Sequence, residues 1–479
     1  MIGVYFDSQI FRYLKDPERY PEPKRSLYKK LKTYIDNNKP HFLYFYSHAH
    51  LLDLKNDDSQ RKYDDLEFMG SVVQDNLLML FAKENYPQYL LVKPLDAYKE
   101  YMEGDFSVDD LNFKDIFNVD QYKEYLDEEQ YNRLKTSADL LKALTVSDVM
   151  PDLGADIPIE QHKALAKFLP INKPSLSYID YLNQFLKFGE DFQTDTSIYK
   201  DLRGMVTTNK EVKFTIDLST FDFSMDYQDT HVQKKFLDFV AEQMGKKDYN
   251  QFDLHYQAYI SLDILGVEKE SNKRLKTQNL LNDAHHSYYA GFCDLVVSDD
   301  TQLREKTKIL FKLFGVNTRV LTVEEFINEL FWINMQIDYR EQNFWDKMVG
   351  ILNNGFVKRI LKPYPNRDVF IYNSSQFFLS YFNEMRQINE GNDSYIVLRH
   401  EVKNYYGNSA NFKTIQAVTN KSIDLFGLDD VGLGYFNYEL ETNEVNVGNW
   451  GGRTWRRDSI EIILEINSSL GKLNLVICL

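Results

Sequence analysis

Asp7, Asp53, Asp283 and Asp300 each sit where a carboxylate could serve a metal site in this 479-residue chain. Asp7 follows the apolar run Ile2–Phe6. Asp53 lies in Ser47–Leu54, behind a second apolar run. Asp283 opens Asp283–Ala290, and Asp300 closes Leu295–Asp300. Strand ends are where open α/β sheets place their chemistry. Carboxylates brought together there repel one another unless a cation neutralises them. Oxygen donors select a hard divalent ion, Mg²⁺ or Mn²⁺. Ser298, two residues before Asp300, could hydrogen-bond a ligand carboxylate, and Asp299 competes with its neighbours for the fourth ligand position.

The elements that must position these residues are short. Ile2–Phe6 and His41–Tyr46 read as strands, and Ser26–Asn37 has helical spacing. Ser47 can cap a helix carrying Ala49, Leu51, Leu52 and Leu54. Asp283–Phe292 reads as helix, Leu295–Ser298 as strand, and Thr301–Phe314 as a helix ended by Gly315. Thr318–Leu321 is a further strand, and Thr322 with Glu325 makes a capping-box pattern. If the strands are parallel, Asp7 and Asp300 share one rim. Ten helical residues span about 15 Å, and a strand of four to five residues spans about as much. The start of the helix at Asp283 therefore returns level with Asp300. Plainer roles compete: Asp283 as a helix N-cap, and Asp300 as the cap of Thr301–Phe314.

A chain of this length is expected to hold two to four domains. Its 43% apolar content supports real cores, and its 12 Pro and 21 Gly argue against disorder. A net charge of −16 repels nucleic acid and anionic membrane on average, so any nucleic-acid groove must be local. Two cysteines argue against a disulfide framework, and Cys293 reads as a core thiol. No leader pattern and no membrane-length apolar run is present, so a cytoplasmic setting is the expectation.

The expected organisation is an α/β core from 1–56 and 280–332, a helical insertion over 57–279, and a C-terminal α+β domain over 333–479. Within the insertion, Asp64–Ala82, Gln121–Leu144, Ile159–Phe168, Tyr178–Phe188 and Val232–Gly245 read as amphipathic helices. In the last region Gln376–Ile388 reads as helix, and Tyr395–Leu398, Gly434–Leu440, Ser459–Ile466 and Leu473–Leu479 as strands.

At these residues the chain resembles the PIN-like nucleases over about 1–56 and 280–330. The carrying motifs are Val4-Tyr-Phe-Asp7, Asp53 after the next strand, Asp283 with Ala290 seven residues on, and Ser298-Asp299-Asp300. Leu303, Lys306 and Gly315–Val320 fit the closing helix and strand. The chain departs from the pattern in the more than two hundred residues between Asp53 and Asp283, and in Asp rather than the frequent Glu as second acid. The resemblance implies a three-layer α/β/α core with a parallel sheet. It also implies metal-dependent phosphodiester hydrolysis, with RNA favoured over DNA. Asp7 and Asp300 would be direct ligands of Mg²⁺ or Mn²⁺, with Asp283 and Asp53 completing the shell.

His48, His50, His285 and His286 flank the acids, and structural packing is favoured over metal ligation or proton transfer. Asp64, Asp65 and Glu67 read as a solvated helix face. Trp450–Arg457 interleaves aromatic and basic residues; Arg453, Trp455, Arg456 and Arg457, with Lys358, Arg359, Lys362 and Arg367, are the candidates for binding nucleic acid. A strand-connecting turn with surface arginines is the plainer reading. The sequence therefore frames a metal-dependent nuclease, a catalytically idle scaffold of the same fold whose insertion binds a protein partner, and a DNase using the same site.

Overall fold

A computed structural model describes residues 1–55, 59–81, 84, 86–103, 250–264, 267, 277–336, 341–354, 357–364, 367–391, 393–400, 412–446, 449–467 and 472–479, with the helix Glu128–Ala143, its flanks and scattered positions between 120 and 244. Ile159–Phe168 lies outside the described residues, as do most of Tyr178–Phe188 and Val232–Gly245.

The fold is α/β. One sheet has six strands, β1 (Ile2–Phe6), β2 (Phe42–Ser47), β3 (Asn76–Met79), β4 (Gln88–Leu91), β5 (Leu295–Val297) and β6 (Arg319–Leu321), in the order β4-β3-β2-β1-β5-β6. All neighbouring pairs are parallel except β3 with β4. β1, β2, β3 and β5 are buried along their whole length, which parallel strands covered on both faces require. On one face Val4, Phe6, Tyr44, Tyr46 and Val297 pack with α1 (Ser8–Lys15), α2 (Lys24–Asn38), α4 (Arg61–Val73) and α5 (Pro94–Tyr101). On the other, Tyr5, Phe45, Leu78 and Val296 pack with α3 (His48–Lys55) and, from beyond α6 (Glu128–Ala143) and α7 (Gln251–Ile264), with α8 (Thr277–Ala290) and α9 (Thr301–Phe314). α10 (Val323–Gln336) closes the first face through Phe326.

The second sheet is antiparallel. It joins β7 (Val357–Tyr364), β8 (Arg367–Phe378), β9 (Phe382–Glu390), β10 (Asp393–Arg399), β11 (Arg453–Arg457), β12 (Ile460–Asn467) and β13 (Lys472–Cys478) in the order β11-β12-β13-β10-β9-β8-β7. α11 (Glu341–Asn354) and α12 (Phe412–Phe426) supply the apolar layer against it, and α13 (Tyr438–Asn446) precedes β11.

Four sequence expectations change. The run Asp64–Ala82 is not one helix: α4 ends at Val73, Gln74 turns with φ +60°, and β3 follows. The parallel sheet therefore extends into the stretch read as helical insertion. Gln376–Ile388 is the β8–β9 hairpin, turned at Leu379 and Ser380, whose φ values are 51° and 55°. Phe382, Met385 and Ile388 mimic a helical stripe, but pairing on both sides of β9 overrides it. Gly434–Leu440 is a loop entering α13, capped by Asn437, whose Oδ1 accepts the Glu439 and Leu440 N–H groups at 3.1 and 3.3 Å. Finally, α8 begins at Thr277, so Asp283 lies inside the helix and is not its cap.

Candidate active site

The carboxyl ends of β1 and β5 meet on one rim, because Tyr5 and Phe6 pair in parallel with Val296 and Val297. Asp7 leaves β1 there. It is the residue before α1, yet its side chain makes no capping bond. Instead Asp7 Oδ2 accepts the Ser298 hydroxyl at 2.9 Å. Ser298 is buried, and its Oγ also accepts the Asp300 N–H at 3.0 Å. One hydroxyl thus ties the two strand-end acids together.

Asp300 takes the plainer role as well. Its Oδ1 accepts the Gln302 and Leu303 N–H groups at 2.8 and 2.9 Å, capping α9. Its Oδ2 carries no hydrogen bond among the described residues. Asp299 faces elsewhere: Tyr28 donates to its Oδ2 at 2.7 Å and the Val323 N–H to its Oδ1 at 3.2 Å. Each of its oxygens accepts one hydrogen bond on the side of α10, away from the Ser298–Asp7 contact.

Asp53 is tied down differently. Asn282 Nδ2 donates to its Oδ1 and His286 Nε2 to its Oδ2, both at 2.8 Å. Burial pushes its carboxyl up, but the His286 charge and hydrogen bond, with those from Ser8 and Asn282, outweigh burial and hold it well below the usual range. His286 responds in kind: burial lowers it, while Asp53 and then Asp7 raise it above its ordinary value. Its other nitrogen, Nδ1, lies 2.7 Å from Tyr5 Oη, which lies 2.7 Å from Ser47 Oγ. His50 Nδ1 accepts the Ser47 N–H at 3.0 Å and its Nε2 donates to the Phe6 carbonyl at 2.7 Å. Burial and the His286 charge hold His50 down at about 3, so it is neutral. Among the four flanking histidines, His286 is the one that interacts with the acids through a direct bond among the described residues.

Asp283 is the opposite case. Its carboxylate has no hydrogen-bond or ion-pair partner among the described residues. Burial first, then the charges of Asp300, Asp7 and Asp53, push it well above the carboxylate range, against Lys306. Asp7 is raised too, chiefly by burial and partly by Asp53 and Asp300. These couplings bring the four sequence-selected acids into one electrostatic neighbourhood. Lys306 does not neutralise Asp283, because its ammonium is 2.6 Å from Asp263 in a buried pair completed by Tyr199.

Sequence reasoning missed two groups here. Tyr259, on α7, is fully buried, and its hydroxyl has no partner among the described residues. Burial and the charges of Asp283, Asp300, Asp263 and Asp7 drive its pKa far up, so it is a neutral phenol facing an acidic field. Arg304 lines a narrow crevice of about 10 Å³ with Asp7, Tyr5, His286, Ser298 and Thr307, and donates to the Ser298 carbonyl at 2.9 Å. Thr307 Oγ1 is buried there without a partner among the described residues. An arginine one turn after Asp300 was the available signal for the second group.

Comparison with protein-family models, curated proteins and solved structures finds no match. Geometry alone must then carry the functional reading.

For a divalent ion the donor chemistry fits: oxygen-only side chains, short of local counter-charge, with free oxygens on Asp7, Asp283 and Asp300. The spacing is less complete. Among the described residues, no three His, Cys, Asp or Glu side chains are arranged to hold a metal ion.

Two of the expected nucleic-acid residues, Arg453 and Trp455, are turned away from the surface. Arg453 is buried; its guanidinium meets Glu441 Oε1 and Oε2 at 2.7 and 2.8 Å and the Gly434 carbonyl at 3.0 Å. Trp455 is buried, with Nε1 donating to the Gly427 carbonyl at 2.8 Å. Arg456 is exposed but pairs with Glu461 at 2.7 Å, and Arg457 donates to the Phe426 carbonyl. Alternation along β11 turns Arg453 and Trp455 inward, which removes them from any stacking role. Lys358, Arg359 and Lys362 lie on β7, and their side chains lie outside the described set. Among the described helices none is long and apolar enough to cross a membrane.

Proposed function

We propose that this chain is a divalent-metal-dependent phosphodiesterase of PIN-like type, acting on RNA in preference to DNA. The observation that carries the reading is the unpaired Asp283 carboxylate, held in the field of Asp7 and Asp300 at the carboxyl rim of a parallel sheet. Structural carboxylates are normally paired or well solvated, and a half-buried one left unpaired and raised by its neighbours marks a candidate functional site.

To hold Mg²⁺ or Mn²⁺, the free oxygens of Asp7, Asp283 and Asp300 would have to draw closer together than they stand among the described residues. The ion would lower the pKa of a bound water and neutralise phosphate charge. Ser298 fixes Asp7, and the α9 cap fixes the Asp300 backbone and one of its oxygens. Tyr259 offers a neutral hydroxyl to the same acidic field. Asp53 moves from ligand to anchor of the His286 ring, since both its oxygens are occupied.

The idle-scaffold reading draws on a specific observation as well: the carboxylates do not converge into a three-ligand group among the described residues. A cleavage assay separates the two. The full chain with Mn²⁺ or Mg²⁺ is incubated with single-stranded RNA and DNA, beside Asp7→Asn and Asp283→Asn. Loss of RNA cleavage in both variants, by about a hundredfold or more, supports the enzyme. No cleavage by the unmodified chain favours the scaffold, and cleavage of DNA alone favours the DNase.

A further inference from the structure

Between α12 and β11 the chain projects a run of large apolar side chains into solvent. Leu428, Val431, Leu433, Tyr435, Tyr438 and Leu440 are each between 54% and 77% exposed. Single exposed apolar residues need no explanation, but six within thirteen positions form a patch. The loop is held in shape from beneath. Asp429 is buried, and its carboxylate accepts the N–H groups of Val431, Leu433 and Gly434 at 3.2, 3.2 and 2.7 Å. Gly432 and Gly434 take φ values of 76° and 66°, which an L side chain would strain. Arg453 grips the Gly434 carbonyl while Glu441 joins Arg453 to Trp450 Nε1 at 2.7 Å. The aromatic-basic motif at 450–457 therefore works as the brace of this loop.

We propose that the loop is a preformed docking element for a heterologous protein partner, one that offers an amphipathic helix whose apolar face is edged by Lys and Arg. Residues 424–444 contain six acidic side chains and no Lys or Arg. Asp429 and Glu441 are spent on the brace. Asp430 lies 3.7 Å from the Arg456 guanidinium, and Asp424, Glu439 and Glu444 remain exposed around the apolar residues. A complementary partner must present positive charge at its rim. A second copy would bring the same acids and a chain charge of −16 against them. An anionic membrane is disfavoured by the same repulsion. Bracing the loop in advance removes part of the ordering cost of association. This inference stands independently of the acidic cluster.

The probe is a fluorescein-labelled synthetic helix of alternating Leu and Lys faces, titrated with the full chain and followed by anisotropy. Val431→Ser with Leu433→Ser removes apolar contact without changing charge, and both positions are exposed, so the fold is retained; circular dichroism checks this. Glu439→Gln with Glu444→Gln removes charge alone. The expected result is saturable binding that weakens about tenfold or more in the serine variant and loses salt dependence in the amide variant. Three results overturn the proposal: no binding, or equal binding by the serine variant; sedimentation showing a dimer that the serine substitutions dissolve; or loop-dependent binding to phosphatidylcholine vesicles.

Discussion

Burial and the charges of Asp300, Asp7 and Asp53 all press the Asp283 carboxyl toward its protonated form. Its folded pKa lies above its unfolded value, so the folded state binds more protons across that window. Stability is fully present below about pH 4 and falls as pH rises through the folded pKa. In chelator-treated protein, denaturant midpoints are expected to drop on going from pH 5 to 8. Asp283→Asn should flatten that dependence and raise stability at pH 8 by about 1 kcal/mol or more; an unchanged pH profile would show that the carboxylate is not under this strain. Tyr259→Phe follows similar logic. Its hydroxyl is buried without a partner among the described residues, so removing it should stabilise the fold by about 1 kcal/mol in urea titrations. The acids were legible in the sequence because strand ends and helix lengths constrain where they fall. Asp53 was legible as a position but not in its role, because its bonds to Asn282 and His286 join residues more than two hundred positions apart. Tyr259 carried no local signal, being one apolar-looking position on a helix buried over much of its surface.

At the scale of elements, α7 meets α9 through the buried Lys306–Asp263 pair. Lys306→Met leaves Asp263 charged and uncompensated, and should cost about 3–5 kcal/mol of unfolding free energy. Adding Asp263→Leu should recover much of it; a double variant as unstable as the single one would contradict this assignment. The parallel strands and their crossover helices were readable from continuous apolar runs, from Gly315 at φ 67° ending α9, and from the Thr322–Glu325 box that the structure shows at 2.7 and 3.1 Å. What failed were stops without the usual marker. α4 ends on Gln74 with positive φ, where Gly was the residue to look for. The β8–β9 hairpin turns on Leu379 and Ser380 rather than on Asn-Gly, so nothing local separated it from a helix.

Across the whole molecule, the two sheets are joined by His400 Nε2 bonding Asp294 Oδ1 at 2.6 Å and by Lys413 reaching Asn76 at 2.8 Å beside Asp75. Asp294 also accepts the Gly3 N–H at 2.7 Å, so this junction touches the strand that delivers Asp7. The net charge of −16 opposes a polyanion on average, and Arg453 and Trp455 turn inward. Nucleic-acid affinity should therefore depend weakly on salt, with a log–log slope of magnitude below about 3, against roughly 10 for proteins making many phosphate contacts; a steep slope in filter-binding would contradict this. The direct test of the central claim is Mn²⁺ binding followed by electron paramagnetic resonance in four proteins: the unmodified chain, Asp283→Asn, Asp7→Asn and Asp53→Asn. Saturable binding lost in the first two variants and retained in Asp53→Asn is the expected result. Absence of saturable binding, or binding that survives Asp283→Asn, would contradict it.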